Sequence, residues 1–95
     1  MRDYELVVII SPEVAEEQIN TTLEKVSRFI AEKGGSVTEV NRWGRRKLAY
    51  PIKRSMEGVY VLTRFKAEPK STAELEANLK LSEEVLRHLL VRVDE

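Results

Sequence analysis

Residues 82–95 read Ser82-Glu83-Glu84-Val85-Leu86-Arg87-His88-Leu89-Leu90-Val91-Arg92-Val93-Asp94-Glu95, and whether they form a helix or a strand decides the fold. Val85, Leu86, Leu89, Leu90 and Val93 trace a helical stripe, and Glu83 and Glu84 suit the first turn of a helix. The same stretch ends in Leu90-Val91-Arg92-Val93, which suits a strand. Local pattern leans slightly to the helix, so the decision passes to the elements that precede it.

Those elements are easier to read. Tyr4-Glu5-Leu6-Val7-Val8-Ile9-Ile10 is apolar and β-branched, a strand buried on at least one face. Ser11 is expected to cap the helix that follows, with Pro12 at its first position and Glu13 at the positive end of its dipole. Ala15, Ile19, Leu23, Val26 and Ile30 form one helical stripe, and Gly34-Gly35 ends it. Residues 36–50 are strand-like but irregular around Gly44, which suggests a bulge or bend, and Pro51 suits a strand exit. Residues 53–58 read as a turn. Residues 59–65 read as a strand with Val59, Val61, Thr63 and Phe65 on one face, paired with the preceding strand in a hairpin. Pro69 breaks the chain, and Ser71 with Glu74 makes a capping box for a short helix carrying Leu75 and Leu79.

The order strand, helix, strand, strand, helix leaves one position open. A final strand beside the first completes a ferredoxin-like β-α-β-β-α-β arrangement. This α+β fold would occupy residues 1–95 as a single domain, a four-stranded antiparallel sheet with two helices on one face. The opposite face must then be polar or meet a partner.

The 95 residues contain 42% hydrophobic and 34% charged side chains, enough apolar material for one core. The longest apolar run near the start, Leu6 to Ile10, is five residues, far below the ~20 needed to cross a bilayer. Met1-Arg2-Asp3-Tyr4-Glu5 does not read as a secretory signal, and a cytoplasmic location is expected. Cysteine is absent, which excludes disulfides, thiolate metal sites and cysteine nucleophiles. One histidine, His88, makes no multi-histidine metal centre. The acidic pairs Glu16-Glu17 and Glu83-Glu84 diverge on a helix, and no nucleophile elbow or phosphate loop accompanies His88. No catalytic residues, metal or cofactor are therefore expected.

The formal net charge is zero but unevenly spread. Residues 1–41 carry 4 Lys/Arg against 8 Asp/Glu, residues 42–66 carry 8 against 1, and residues 67–95 carry 4 against 7. Arg42, Arg45, Arg46, Lys47, Lys53 and Arg54 occur with no intervening acid. Such a concentration fits an anionic partner, most often nucleic acid; it also fits a solvated basic hairpin. A base-stacking RNA-recognition domain shares this topology. The strand Val59-Tyr60-Val61-Leu62-Thr63-Arg64 lacks its alternate aromatic pair. Tyr4, Trp43, Tyr50 and Tyr60 all fall on expected strands, where each can serve the core, a base stack or a protein interface.

Trp43-Gly44-Arg45-Arg46-Lys47-Leu48-Ala49-Tyr50-Pro51-Ile52, with Lys53, Gly58 and Tyr60, resembles the bacterial ribosomal small-subunit protein six family. The opening Met1-Arg2-Asp3-Tyr4-Glu5 and the closing Leu81–Arg87 with Val91-Arg92 are similar to that family as well. The resemblance spans nearly the whole chain and implies a final strand. It implies a ribosome-bound structural protein rather than an enzyme. Such a protein binds the central domain of 16S ribosomal RNA together with ribosomal protein eighteen as the platform assembles. Neither a small-molecule substrate nor a membrane is implied. Many members carry a long charged tail after the last strand; this sequence reads to Glu95. Arg45, Arg46, Lys47 and Lys53 match basic positions of the motif, and Arg2, Arg87 and Arg92 match basic positions in the opening and closing strands. Arg54 joins this RNA-binding set on charge alone. Tyr4, Trp43, Tyr50 and Tyr60 are the candidates for the protein-partner interface on the uncovered sheet face. The competing readings are a ferredoxin-like regulatory or oligomerising module that binds a small metabolite, and a small hydrolase. The hydrolase would need a phosphate loop where the acidic Ser11-Pro12-Glu13 stands.

Overall fold

In the computed structural model, residues 1–93 are described. The elements run β1 (Arg2–Ile10), α1 (Glu16–Glu32), β2 (Ser36–Ile52), β3 (Ser55–Ala67), α2 (Pro69–Leu81) and β4 (Val85–Val93). The strands form one sheet in the order β2-β3-β1-β4, with β1 antiparallel to both β3 and β4 and β2 antiparallel to β3. This is the ferredoxin-like arrangement, and residues 85–93 are its fourth strand.

The core follows from strand alternation. Tyr4, Leu6, Val8 and Ile10 of β1 point to the same side as Val61, Thr63, Phe65 and Ala67 of β3, and all eight are buried. Against them pack Ile19, Val26 and Ile30 of α1 and Leu75 and Leu79 of α2. Each fully buried aliphatic side chain contributes roughly 1.5–3 kcal/mol, so this single layer carries most of the stabilisation. Thr22, also buried, lies 3.0 Å from both Gln18 O and Glu84 Oε1, which ties α1 to the start of β4. His88 faces α2, where Nε2 meets Glu76 Oε2 at 3.1 Å.

The helical look of residues 85–93 has a physical cause. Leu90 packs toward the helices while Leu89, Val91 and Val93 face the other way, 55%, 46% and 39% exposed. Apolar residues on both faces erase the period of two that marks a half-buried strand.

Both helix starts differ from expectation. Ser11 does not cap α1. Its hydroxyl instead accepts from the Glu13 N–H at 3.3 Å within a turn, and α1 starts at Glu16 after Ala15. Pro69 does not break the chain but opens α2 at its first position. Its ring restricts Glu68 to an extended ψ of 139°, the geometry of a residue flanking a helix start. Ser71 is therefore inside the helix and forms no capping box with Glu74. Gly34, at φ +85°, stops α1 as the sequence indicates.

The β2–β3 hairpin is longer and tighter than expected. Its turn is Lys53-Arg54 alone, with Ile52 paired to Ser55. Both turn residues have positive φ, 49° and 68°, the twist that suits a two-residue hairpin. Register shifts occur between Val37 and Glu39, between Arg42 and Gly44, and between Lys47 and Ile52. The shift at Gly44, whose φ is +88°, is the irregularity seen in the sequence. In the last shift β2 runs through Leu48, Ala49, Tyr50 and Pro51 where β3 has only Met56, so the outer hairpin arm bends. Gly58 permits the bend: a Cβ there would collide with Ile9 Cγ2 and lie 3.5 Å from Leu48 Cδ2. Gly58→Ala should cost about 1–3 kcal/mol in urea unfolding. Arg54→Gly, which relieves the positive φ, should raise stability by up to about 1 kcal/mol in the same assay.

Candidate nucleic-acid and protein interface

The bent arm sorts the basic run by direction. Arg42 turns toward the helices, where Nη2 meets Glu16 Oε2 at 2.8 Å. Arg45 follows the same side: Nη2 donates to Pro12 O at 3.3 Å, and Nη1 lies 3.7 Å from Glu57 Oε1. Arg46 pairs with Gly58 on the sheet face without helices, and its guanidinium stands 5.7 Å from the Trp43 ring centroid. That distance suits a cation–π contact. Lys47 and Arg54 are exposed. Lys53 is also exposed, and its Nζ donates to Val85 O at 3.3 Å. Arg87, on the open face opposite Ile9, donates from Nη1 to Tyr50 Oη at 2.6 Å. The arm thus brings segments 46–54 and 85–87 to one end of the molecule.

Arg2 and Arg92 are not part of that group. Arg2 begins β1 and pairs with Ala67, and Arg92 pairs with Tyr4. Arg87 pairs with Ile9, so about 23 Å of strand separates its level from Arg2, at roughly 3.3 Å per residue. The eight expected RNA-binding cations therefore form an arm group and a smaller group at the opposite end of the sheet.

The aromatic set also divides. Tyr4 is not on an interface: it is 6% exposed, on the helix side, with its ring stacked on Phe65 at 5.5 Å between centroids. Its place in the strand puts it with Leu6 and Val8, and the ring fills the core. Trp43 is 41% and Tyr50 56% exposed, both on the hairpin. Tyr60 is half-buried on the open face, between Ile9 of β1 and Gly44 of β2.

Sequence reasoning missed the main apolar feature of that face. Leu89, Val91 and Val93 form a row along the edge strand β4, beside Val7 of β1 and with Leu62 of β3 beyond it. Their signal was present as alternation in Leu89-Leu90-Val91-Arg92-Val93, but Leu90 between them masked it. Glu5 and Glu39 flank Arg64 on the far end of the same face, at 3.7 and 3.5 Å.

Among the described residues no cluster of His, Cys, Asp or Glu is arranged to hold a metal ion. Among the same residues no helix is long and apolar enough to cross a membrane. The features present are an arm of cations, an aromatic beside it and an apolar sheet face, which together define a binding protein.

A model of the ribosomal protein S6 family matches residues 3–92, and the chain belongs to that family. It is 50% identical over 95 residues to a small ribosomal subunit protein bS6 of Dehalococcoides mccartyi, covering all of this chain and 87% of that protein. It is 45% identical to the bS6 protein of Desulforamulus reducens, with both chains covered completely. The crystal structure of 30S ribosomal protein S6 from Thermotoga maritima superposes with a TM-score of 0.91 at 35% identity, covering 97% of this chain and 87% of that one. The C-terminal domain of the MgtC protein from Mycobacterium tuberculosis shares the fold at a TM-score of 0.60 and 13% identity. Family membership makes the chain a structural protein of the small ribosomal subunit, not an enzyme, and displaces the metabolite-binding and hydrolase readings.

Because Tyr4 is core, Tyr4→Ala should lower stability by about 3 kcal/mol or more in chemical denaturation. Tyr60→Ala, on the open face, should cost less than half as much.

Proposed function

We propose that the chain binds the central domain of 16S ribosomal RNA jointly with ribosomal protein eighteen during assembly of the small-subunit platform. The observation that supports this most is the bent arm, which carries Arg46, Lys47, Lys53 and Arg54, reaches β4 through the Tyr50–Arg87 and Lys53–Val85 contacts, and adjoins an open apolar sheet face. Arginine forks hold phosphates in two-point contacts, and lysines add diffuse positive charge. Such contacts orient a protein on folded RNA and carry little sequence information. RNA shape and the surface shared with the second protein supply the specificity.

In this reading the partner protein covers the open face around Leu89, Val91, Val93 and Tyr60, with Trp43 at its margin. An apolar row of this kind gains from leaving water. Arg45 is the weaker phosphate ligand of the motif, since Pro12 O and Glu57 already engage its guanidinium. Arg2 and Arg92 form a second, separate contact to the RNA.

Titrating a central-domain RNA fragment, with and without ribosomal protein eighteen at two salt concentrations, tests the proposal. Tight, salt-sensitive binding that requires the partner is expected, and absence of binding in both conditions contradicts it. Replacing Arg46 and Lys47 together by Ala should weaken binding roughly tenfold at low salt and lower the salt slope by about 1–2.

A further inference from the structure

Two contacts of the hairpin arm run to β4 rather than to its partner strand. Arg87 donates to Tyr50 Oη, and Lys53 donates to Val85 O. Both join the arm to β4 next to the register shift between Ile9 and Ile10. Tyr50 is 56% exposed, so packing alone does not account for its position. Its role shows in comparison with three arginines of the middle segment. Arg42, Arg45 and Arg64 each meet a carboxylate, which orients the guanidinium but offsets its charge. Tyr50 orients Arg87 through a hydroxyl, which, unlike a carboxylate, does not offset the guanidinium's charge. A guanidinium has five N–H donors, and the contact to Tyr50 occupies one of them.

We propose that Tyr50 is a positioning residue for RNA binding, holding the Arg87 guanidinium beside the bent arm so that it and the arm cations meet the phosphate backbone as one preorganised set. This rests on the RNA-binding reading above. The physical gain is entropic: an arginine already confined to its bound geometry loses less freedom when a phosphate arrives. The bend between Lys47 and Ile52 is what makes it geometrically available, since it takes Tyr50 off the regular ladder with β3 and within reach of β4.

The test uses the full chain with ribosomal protein eighteen and the central-domain RNA fragment, comparing wild type, Tyr50→Phe, Arg87→Ala and the double variant. Tyr50→Phe should weaken binding about three- to tenfold with unchanged thermal stability and an unchanged salt slope. Arg87→Ala should weaken it further and lower the salt slope by about 1. The double variant should bind as Arg87→Ala alone, because the hydroxyl has nothing left to position. Wild-type affinity for Tyr50→Phe or for Arg87→Ala overturns the inference. So does additive loss in the double variant, which would make Tyr50 an RNA contact in its own right. A fall in thermal stability that accounts for the loss of affinity would reduce Tyr50 to structural support and overturn it as well. Failure of the wild type to bind is a different outcome: it overturns the RNA reading itself, and this inference with it.

Discussion

A four-stranded sheet with two helices has one face that its own chain covers and one that it does not. β1 is where this constraint acts. It is one of the two central strands, paired with β3 on one side and β4 on the other, and its Tyr4, Leu6, Val8 and Ile10 supply the centre of the covered face. Once that alternation is set, the direction of every paired residue on β3 and β4 is set with it, because a slip of one residue would exchange the faces. Val7 and Ile9 are thereby committed to the open face, together with Leu62, Leu89, Val91 and Val93.

The open face is handled by two devices. At one end the hairpin arm bends over, with Gly58 admitting Ile9 and Leu48 at close range. Along β4 the apolar row remains exposed, which suits a protein whose working state is an assembly. Charge is distributed accordingly. The cations of the arm stand at the bent end, and the Glu5–Arg64–Glu39 group occupies the other end of the same face. A net charge of zero is thus compatible with a locally basic surface.

What the sequence revealed, and what it hid, follows from how locally each feature is determined. β1 and the stripe of α1 are set by side-chain period, and both were legible. The final strand was hidden locally because Leu89 and Leu90 serve opposite faces, and only the order of elements recovered it. Helix starts were less legible: Pro69 opens α2 behind an extended Glu68, while α1 waits until Glu16, after a turn at Ser11. Tyr4 shows the same limit: its identity suits an interface or a core, and its position in the alternation of β1 decides for the core. The basic run was legible as charge. Its division into Arg42 and Arg45 turned toward the helices and Arg46 turned away depends on a bulge at Gly44 that the sequence indicated without giving its register. The contact between Tyr50 and Arg87 links positions 37 residues apart and could not be read from either segment alone.

On the proposed function the sheet's two faces divide the labour: the helix side holds the fold together, and the open side with its bent arm, joined by Arg2 and Arg92 at the far end, meets RNA and protein. Amide hydrogen exchange of the chain, free and in complex with central-domain RNA and ribosomal protein eighteen, measures this most directly. New protection is expected over 46–54 and along β4, with α1 and α2 unchanged. Protection concentrated on the outer surfaces of α1 and α2, with the arm and β4 exchanging as in the free chain, would contradict it.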